Sequence, residues 1–274
     1  MRNLRGRVAV VTGAANGLGR ALALELANRG CSIAAADVDG PGLARLAAEM
    51  PPETRVTTHV VDVSSAAQME QFASDVVAAH GSVQILLNNA GVALVGKLHE
   101  TSLADLEWIL GVNVWGVIHG CRNFLPFLLR EPQAQIVNVS SIFGLMSIGK
   151  QTSYCLSKHA VRGFSDALRA ELSDTGVRVL VVYPVGLRTR SPASARHSGA
   201  VDAHAEQRVQ SWFAEKAMPA EKAARKIVRA IEGGVSRLVI GPETRVADIA
   251  VRLFPTAFHY VFEVIRARWS RVRA

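Results

Sequence analysis

Short apolar runs rich in Val, Ile and Leu alternate along this chain with segments whose apolar positions recur every three or four residues. The first run, 8–12, meets a glycine-rich turn, and 18–29 then reads as a helix with Leu18, Ala21, Leu22 and Leu26 at helical spacing. The pattern predicts a second strand over 33–36 ending in Asp37, and a helix over 41–50 that stops at Pro51-Pro52. A third strand is expected over 56–61, with Ser64 or Ser65 capping the helix behind it. A fourth, 83–87, ends at Asn88-Asn89-Ala90-Gly91. One long helical segment is expected over 102–129, then a strand over 136–139, a helix over 154–172, a strand over 177–182, a helix over 220–231 and a short strand over 238–240. Strands that are near-continuous apolar runs, each followed by a helix, suit a parallel sheet of about seven strands covered by helices on both faces. The segment 187–219 breaks the alternation, being polar and rich in Ala and Ser.

Composition bounds this picture without changing it. The chain has 274 residues, of which 49% are hydrophobic, enough to bury a sizeable core. Cys31, Cys121 and Cys155 form no CxxC pair and no even set, which points to a reducing compartment. The apolar run 8–11 is too short for a signal-peptide core, and nothing approaches the roughly 18 apolar residues that a spanning helix needs. The expectation is a cytosolic protein, with surface attachment left open. Net charge is +8, and half of it falls within 245–274, where six Arg and no Lys stand against Asp248 and Glu263. No nucleic-acid module is recognisable, and no metal ligand set is expected.

The turn after the first strand carries chemistry. Thr12-Gly13-Ala14-Ala15-Asn16-Gly17-Leu18-Gly19 opens the first helix. Gly13 permits a tight turn, while Gly17 and Gly19 remove side chains where backbone approaches a pyrophosphate and helix packs on sheet. The helix N-terminus offers free N–H groups to phosphate. Asp37, at the end of the second strand, can accept hydrogen bonds from an adenosine ribose and would repel a 2′-phosphate. Position 16 is Asn and position 38 is Val, so no basic residue is expected to receive that phosphate. These features favour NAD(H) over NADP(H); the alternative role for Asp37 is an N-cap.

Tyr154 and Lys158 are four residues apart on a predicted helix and share a face. A tyrosine titrates near pH 10, and a neighbouring ammonium favours its phenolate, which is how a phenol becomes a general acid/base. Ser140-Ser141 end the fifth strand just upstream. Ligands of open parallel sheets bind outside the carboxyl ends of the strands, where Asp37, Asn88 to Gly91, Ser141 and Pro184 all fall. Taken together, Thr12-Gly-x-x-x-Gly-x-Gly19, Asp37, Asp62-Val63, Asn88-Asn-Ala-Gly91, Asn113, Ser141, Tyr154-x-x-x-Lys158 and 184–189 stand in the order of the short-chain dehydrogenase/reductase family, which the chain resembles over at least 6–240.

The resemblance implies a doubly wound, Rossmann-type fold and a set of roles. Gly13, Asn16, Gly17, Leu18 and Gly19 would cradle the dinucleotide. Asp62 would contact adenine and Val63 would lie beside the ring. Asn88, Asn89, Ala90 and Gly91 would support the central strand and line the cleft. Asn113 would hold a helix distortion and a water linking Lys158 to solvent. Ser141 would polarise the carbonyl, Tyr154 would pass the proton, and Lys158 would bind the nicotinamide ribose and lower the Tyr154 pKa. Pro184 and Thr189 would meet the nicotinamide end. One departure stands out: the family's Pro-Gly is Pro184-Val185-Gly186 here, which puts backbone placement there in question.

The implied protein is a short-chain alcohol dehydrogenase or carbonyl reductase. It would move hydride reversibly between nicotinamide and a hydrophobic secondary alcohol, ketone or aldehyde. The substrate lid would be 187–219, with Trp212, Phe213 and Met218 joining Phe143, Leu145, Met146 and Ile148 as apolar lining. Arg188 and Arg190 are candidates for a substrate carboxylate or the cofactor phosphates. The alternative is a dinucleotide-binding redox sensor or scaffold without turnover; the presence of Asn113, Ser141, Tyr154 and Lys158 together favours the enzyme. Residues 1–242 form the expected catalytic domain. Residues 243–274 form a basic amphipathic extension, with Phe258, Val261, Phe262, Ile265, Trp269 and Val272 on one face. It can pack on its own domain, pack on a second subunit, or lie on a membrane surface. The resemblance further implies a homodimer or homotetramer built through the helices around 102–129 and 152–174.

Overall fold

A computed structural model of the chain describes residues 1–188, 195–199 and 217–258. Its main sheet has strands β1 (Val8–Thr12), β2 (Ser32–Asp37), β3 (Val56–Val60), β4 (Ile85–Asn88), β5 (Ala134–Val139), β6 (Val177–Pro184) and β7 (Arg237–Ile240). All neighbours pair in parallel, in the order β7-β6-β5-β4-β1-β2-β3. The chain winds outward from β1 to β3, then returns to lay β4 against the other side of β1. That reversal opens a crevice at the carboxyl ends of β1 and β4, the place where such sheets bind ligands.

The period of two along β1 sends its side chains to both faces. Ala9 and Val11 join one buried layer with Leu22 and Leu26 of α1 (Gly17–Asn28) and Ile227 and Val228 of α7 (Ala220–Glu232). Val10 joins the other, with Phe72 of α3 (Ala66–His80) and Phe124 of α5 (Gly116–Leu128). Burial on both faces explains why the strands are continuous apolar runs. Ser65, of the two candidate caps, accepts from the Gln68 N–H at the start of α3.

Three elements differ from the sequence expectation. The long helix over 102–129 is α4 (Leu103–Leu110), a π-helical turn (Gly111–Trp115) and α5, an interruption that helical periodicity does not register. The expected C-terminal helical extension over 243–274 begins with a helix α8 (Pro242–Leu253) ahead of Pro255, whereas the sequence placed its amphipathic face after that proline. Within 187–219 the two ends pair with each other, Leu187–Arg188 with Met218–Pro219, and Arg196–His197 pairs with Leu94–Val95 of the body. Thr189, Arg190, Trp212 and Phe213, and the tail from His259 on, lie outside the described residues. Among the described residues no helix is long and apolar enough to cross a membrane.

At the β3 edge, the Thr57 hydroxyl lies 2.9 Å from the His80 Nε2 and 2.9 Å from the His59 Nε2. Burial holds both imidazoles below their ordinary pKa; Arg55 and His59 add to the effect on His80, while Asp75 opposes it on His59. The unfolded chain takes up these protons near pH 6.5, the folded chain only at lower pH. Stability is therefore fully present above about pH 6.5 and falls as pH drops below it. Urea unfolding from pH 7.5 to 5 should show this slope, and a His59→Gln/His80→Gln variant should flatten it. An unchanged slope in the variant would refute the assignment.

Candidate active site

The crevice is built on one hydroxyl. Thr12 ends β1, and its Oγ1 donates to the Leu87 carbonyl (3.3 Å) and accepts from the Asn89 and Ala90 N–H groups (3.0 and 3.1 Å). The Asn89 amide returns the link, donating to the Thr12 and Gly13 carbonyls (2.9 and 3.3 Å). This stitches the glycine turn to the end of β4 so closely that side chains are excluded. A Cβ at Gly19 would lie 2.0 Å from the Gly13 carbonyl oxygen, and one at Gly13 would lie 2.8 Å from the Ala90 Cα. Gly13 and Gly17 also hold φ of +66° and +54°. Asn16 is the N-cap of α1 but makes no side-chain bond to it, and Leu18 is buried in the core. Among the described residues no side chain caps the first-turn N–H groups of α1, as an anion site requires.

Asp37 is not the cap of the next helix. Its carboxylate accepts from the Ala15 N–H (2.9 Å) and the Asp39 N–H (3.0 Å), bracing the glycine turn. Asp39 is the cap: it accepts from the Gly42 N–H (2.9 Å) of α2 (Gly40–Ala48) and from the Asn16 amide (3.0 Å). The Asp39-Gly40-Pro41 sequence carries this signal, but the sequence reading passed over it. Arg45 also comes near, 3.6 Å from Asp39, so a basic group does stand by this loop, though paired with a carboxylate. Asp62 turns the next loop by accepting from the Ser64 N–H (2.9 Å) and hydroxyl (2.7 Å). Val63 is buried where α5 crosses; a Cβ at Gly116 would come within 2.7 Å of it.

The four candidate catalytic side chains converge from three elements. Ser141 follows β5, and Tyr154 and Lys158 lie on α6 (Thr152–Glu171). Tyr154 is half-buried, with its hydroxyl hydrogen-bonded to the Ser141 side chain and its ring edge-on to Phe143 at 6.1 Å. Lys158 is buried; its Nζ donates to the Val139 carbonyl (3.2 Å) and lies 5.7 Å from the centre of the Tyr154 ring. Asn113 sits in the π-helical turn, fully buried. Its Oδ1 accepts from the Val92 N–H (2.8 Å), and its Nδ2 donates to the Val92 carbonyl and the Ser157 hydroxyl (both 3.0 Å). Ser157 donates to the Tyr154 carbonyl (2.8 Å), so Asn113 is linked to the backbone beneath the tyrosine. Ser157 went unnoticed in the sequence because nothing local distinguishes it from a solvent-facing helix serine.

Electrostatics divide the pair in an unexpected way. Burial pushes the Tyr154 phenol up, and the Ser141 hydrogen bond partly opposes it. Burial pulls Lys158 down to about 8. Lys158, expected from the sequence to lower the Tyr154 pKa, is thus itself drawn down by the burial that it shares with the tyrosine. The ammonium has three donors and, among the described residues, one hydrogen-bond partner. It faces Gly91, where a Cβ would lie 3.3 Å from Nζ and 3.2 Å from the Asn113 Oδ1. A channel kept clear at Gly91, spare donors on Lys158, open N–H groups on α1 and unused lone pairs on Asp37 together fit a dinucleotide.

On the substrate side, Phe143 is half-buried against the Tyr154 ring, and Ile148 is half-buried. Leu145 and Met146 are buried, and Leu145 packs on Val181 and Tyr183, so it is core rather than lining. Pro184 ends β6 opposite Ile240, half-buried, and Gly186 takes a φ of +50°, which Val185 leads into.

These features agree with what the chain resembles. A family model for short chain dehydrogenases matches residues 7–199. The Mycobacterium tuberculosis protein SadH, which is named as an oxidoreductase, is 36% identical over 265 residues, 94% of each chain. A short-chain dehydrogenase/reductase from Burkholderia phymatum, solved in complex with NAD, superposes with a TM-score of 0.83 at 31% identity, over 92% of this chain and 96% of that one. An alcohol dehydrogenase from Thermococcus sibiricus, solved with 5-hydroxy-NADP, gives 0.75 at 26% identity, over 86% and 96%. From its glycine turn to its tyrosine and lysine, this chain is a member of the short-chain dehydrogenase/reductase family of oxidoreductases.

Proposed function

We propose that the protein interconverts a hydrophobic secondary alcohol and its ketone, or an aldehyde and its alcohol, with NAD(H) as the preferred dinucleotide. The observation that carries this reading is the Tyr154 hydroxyl, hydrogen-bonded to Ser141 and standing over the buried Lys158 at the mouth of the β1–β4 crevice. When bound, the nicotinamide supplies hydride transfer at carbon. The protein contributes orientation and a proton. Ser141 and Tyr154 both present hydroxyls to a substrate oxygen, one to polarise it and one to exchange its proton. The raised phenol pKa keeps Tyr154 protonated at neutral pH, which suits it as a proton donor in carbonyl reduction. Lys158 would hold the nicotinamide ribose with its spare donors, and Asn113, acting through Ser157 and Val92, would fix the helix under both. Gly13, Gly17, Leu18 and Gly19 would receive the pyrophosphate. Asp62 and Val63 would flank the adenine, Asn89, Ala90 and Gly91 the cleft, and Pro184 and Thr189 the nicotinamide end.

Asp37 supports the preference for NAD. A carboxylate that already accepts two backbone bonds keeps capacity for ribose hydroxyls and repels a 2′-phosphate, and Arg45 is compensated by Asp39. The half-buried Phe143 and Ile148 favour an apolar substrate. Leu103 and Trp115, 78% and 54% exposed on α4 and the π-helical turn, and Leu156 on α6, offer an apolar face for a homodimer or homotetramer.

Tyr154→Phe should cut turnover by about 10²- to 10⁴-fold while NADH binding, read by fluorescence, stays within a few-fold; near wild-type turnover would contradict the role. Asp37→Ser should lower the ratio of kcat/KM with NADH to that with NADPH by about tenfold, ~1.4 kcal/mol. If that ratio does not move, Asp37 only braces the glycine turn.

A further inference from the structure

Helix α8 is built inside out. Its inward side is polar: Thr244 is fully buried and bonded to the Ile240 carbonyl (3.1 Å). Asp248, also buried, takes two bonds from the Arg237 guanidinium (2.9 and 2.6 Å) and lies 3.8 Å from Arg252. Its outward side is apolar. Val246, Ile249 and Leu253 are 69%, 57% and 66% exposed, and Phe254, next in the chain, is 61% exposed. At 100° per residue the three fall within one narrow arc, and Arg245 and Arg252, both exposed, border that arc on one side. An isolated exposed leucine needs no explanation, but a contiguous stripe on the outer face of a helix does.

Charge decides what the stripe would meet. Arg245 and Arg252 edge it, and its one nearby carboxylate among the described side chains, Asp248, is turned inward to Arg237. The chain beyond continues the pattern in sequence, with Phe, Val, Ile and Trp among four Arg and a single Glu over 259–274. A second copy would bring the same cations face to face, and the exposed apolar residues of α4 and α6 already offer a separate face for self-association. We propose that the stripe on α8 docks on an anionic lipid surface, with Ile249 and Leu253 entering the headgroup–acyl boundary and Arg245 and Arg252 meeting the headgroups. Helix α8 starts where β7 ends, at the same carboxyl edge of the sheet as the crevice. Docking there would bring the active-site end of the sheet to a phase in which apolar alcohols and ketones concentrate. That consequence rests on the hydrophobic-substrate reading above; the docking itself does not.

The test is flotation of the full chain with phosphatidylcholine vesicles, with and without phosphatidylglycerol, at low and high salt. The wild type should float with the phosphatidylglycerol vesicles at low salt, and much less at high salt or with phosphatidylcholine alone. Ile249→Glu/Leu253→Glu should cut the bound fraction about tenfold while NADH binding and the molar mass by light scattering stay unchanged. Three results would overturn the proposal: no flotation of the wild type, equal flotation of the variant, or a fall in molar mass in the variant, which would assign the stripe to a second copy. Loss of NADH binding or turnover in the wild type with flotation intact would count against the enzymatic reading and leave the surface standing.

Discussion

A buried ammonium with one carbonyl partner is the constraint around which the site is arranged. A lone charge moved out of water is costly, and a protein meets that cost by pairing the group or by shifting its pKa. Here the single Val139 carbonyl does not balance the desolvation, and Lys158 is drawn down to about 8. The surroundings hold it there. The Ser140 hydroxyl donates to the Lys158 carbonyl (2.9 Å), and the bare Gly144 makes room for it: a Cβ at Gly144 would lie 2.2 Å from the serine oxygen. The π-helical turn carries Asn113 to within reach of Val92 and Ser157, on either side of the lysine. The result is a buried cation bonded to the Val139 carbonyl, with its Nζ beside the bare backbone of Gly91.

The second support is the seam at the switch point. Thr12, Gly13, Asn89 and Ala90 join β1 to β4 at the place where the chain reverses direction across the sheet. That seam sets the distance between the glycine turn, where the phosphates would sit, and Gly91, over which Lys158 looks. A bound dinucleotide would span both. The two halves of the site are thus in register because one threonine hydroxyl and one asparagine amide fix the ends of two neighbouring strands.

Much of this was legible in the sequence, for local reasons. Two-faced burial wrote the strands as apolar runs, and the four-residue spacing of Tyr154 and Lys158 is a property of any helix. Gly13, Gly17 and Gly19 announce a turn wherever they fall. What stayed hidden depends on tertiary register. The π-helical turn at Gly111–Trp115 does not disturb the apolar periodicity, and a glycine such as Gly111 inside a helical pattern does not by itself mark a π-turn. The sequence left Asp37 open as ribose acceptor or cap; Asp39-Gly40-Pro41 carries the cap signal, and the loop geometry gives the cap to Asp39 and brings Arg45 alongside. Nor could spacing reveal that burial would raise Tyr154 and weaken Lys158, since desolvation belongs to the assembled core. The inverted polarity of α8 is of the same kind: its apolar face looks like a core face until Asp248 is seen to own the inside.

The central claim is that Lys158 is held as a desolvated, weakened cation before any ligand arrives. Its titration tests this directly. With ¹³C,¹⁵N-lysine labelling, the Lys158 side-chain resonances, assigned by loss in a Lys158→Met variant, should titrate in the ligand-free protein near pH 8. A midpoint near 10.5, the ordinary lysine value, would contradict the account.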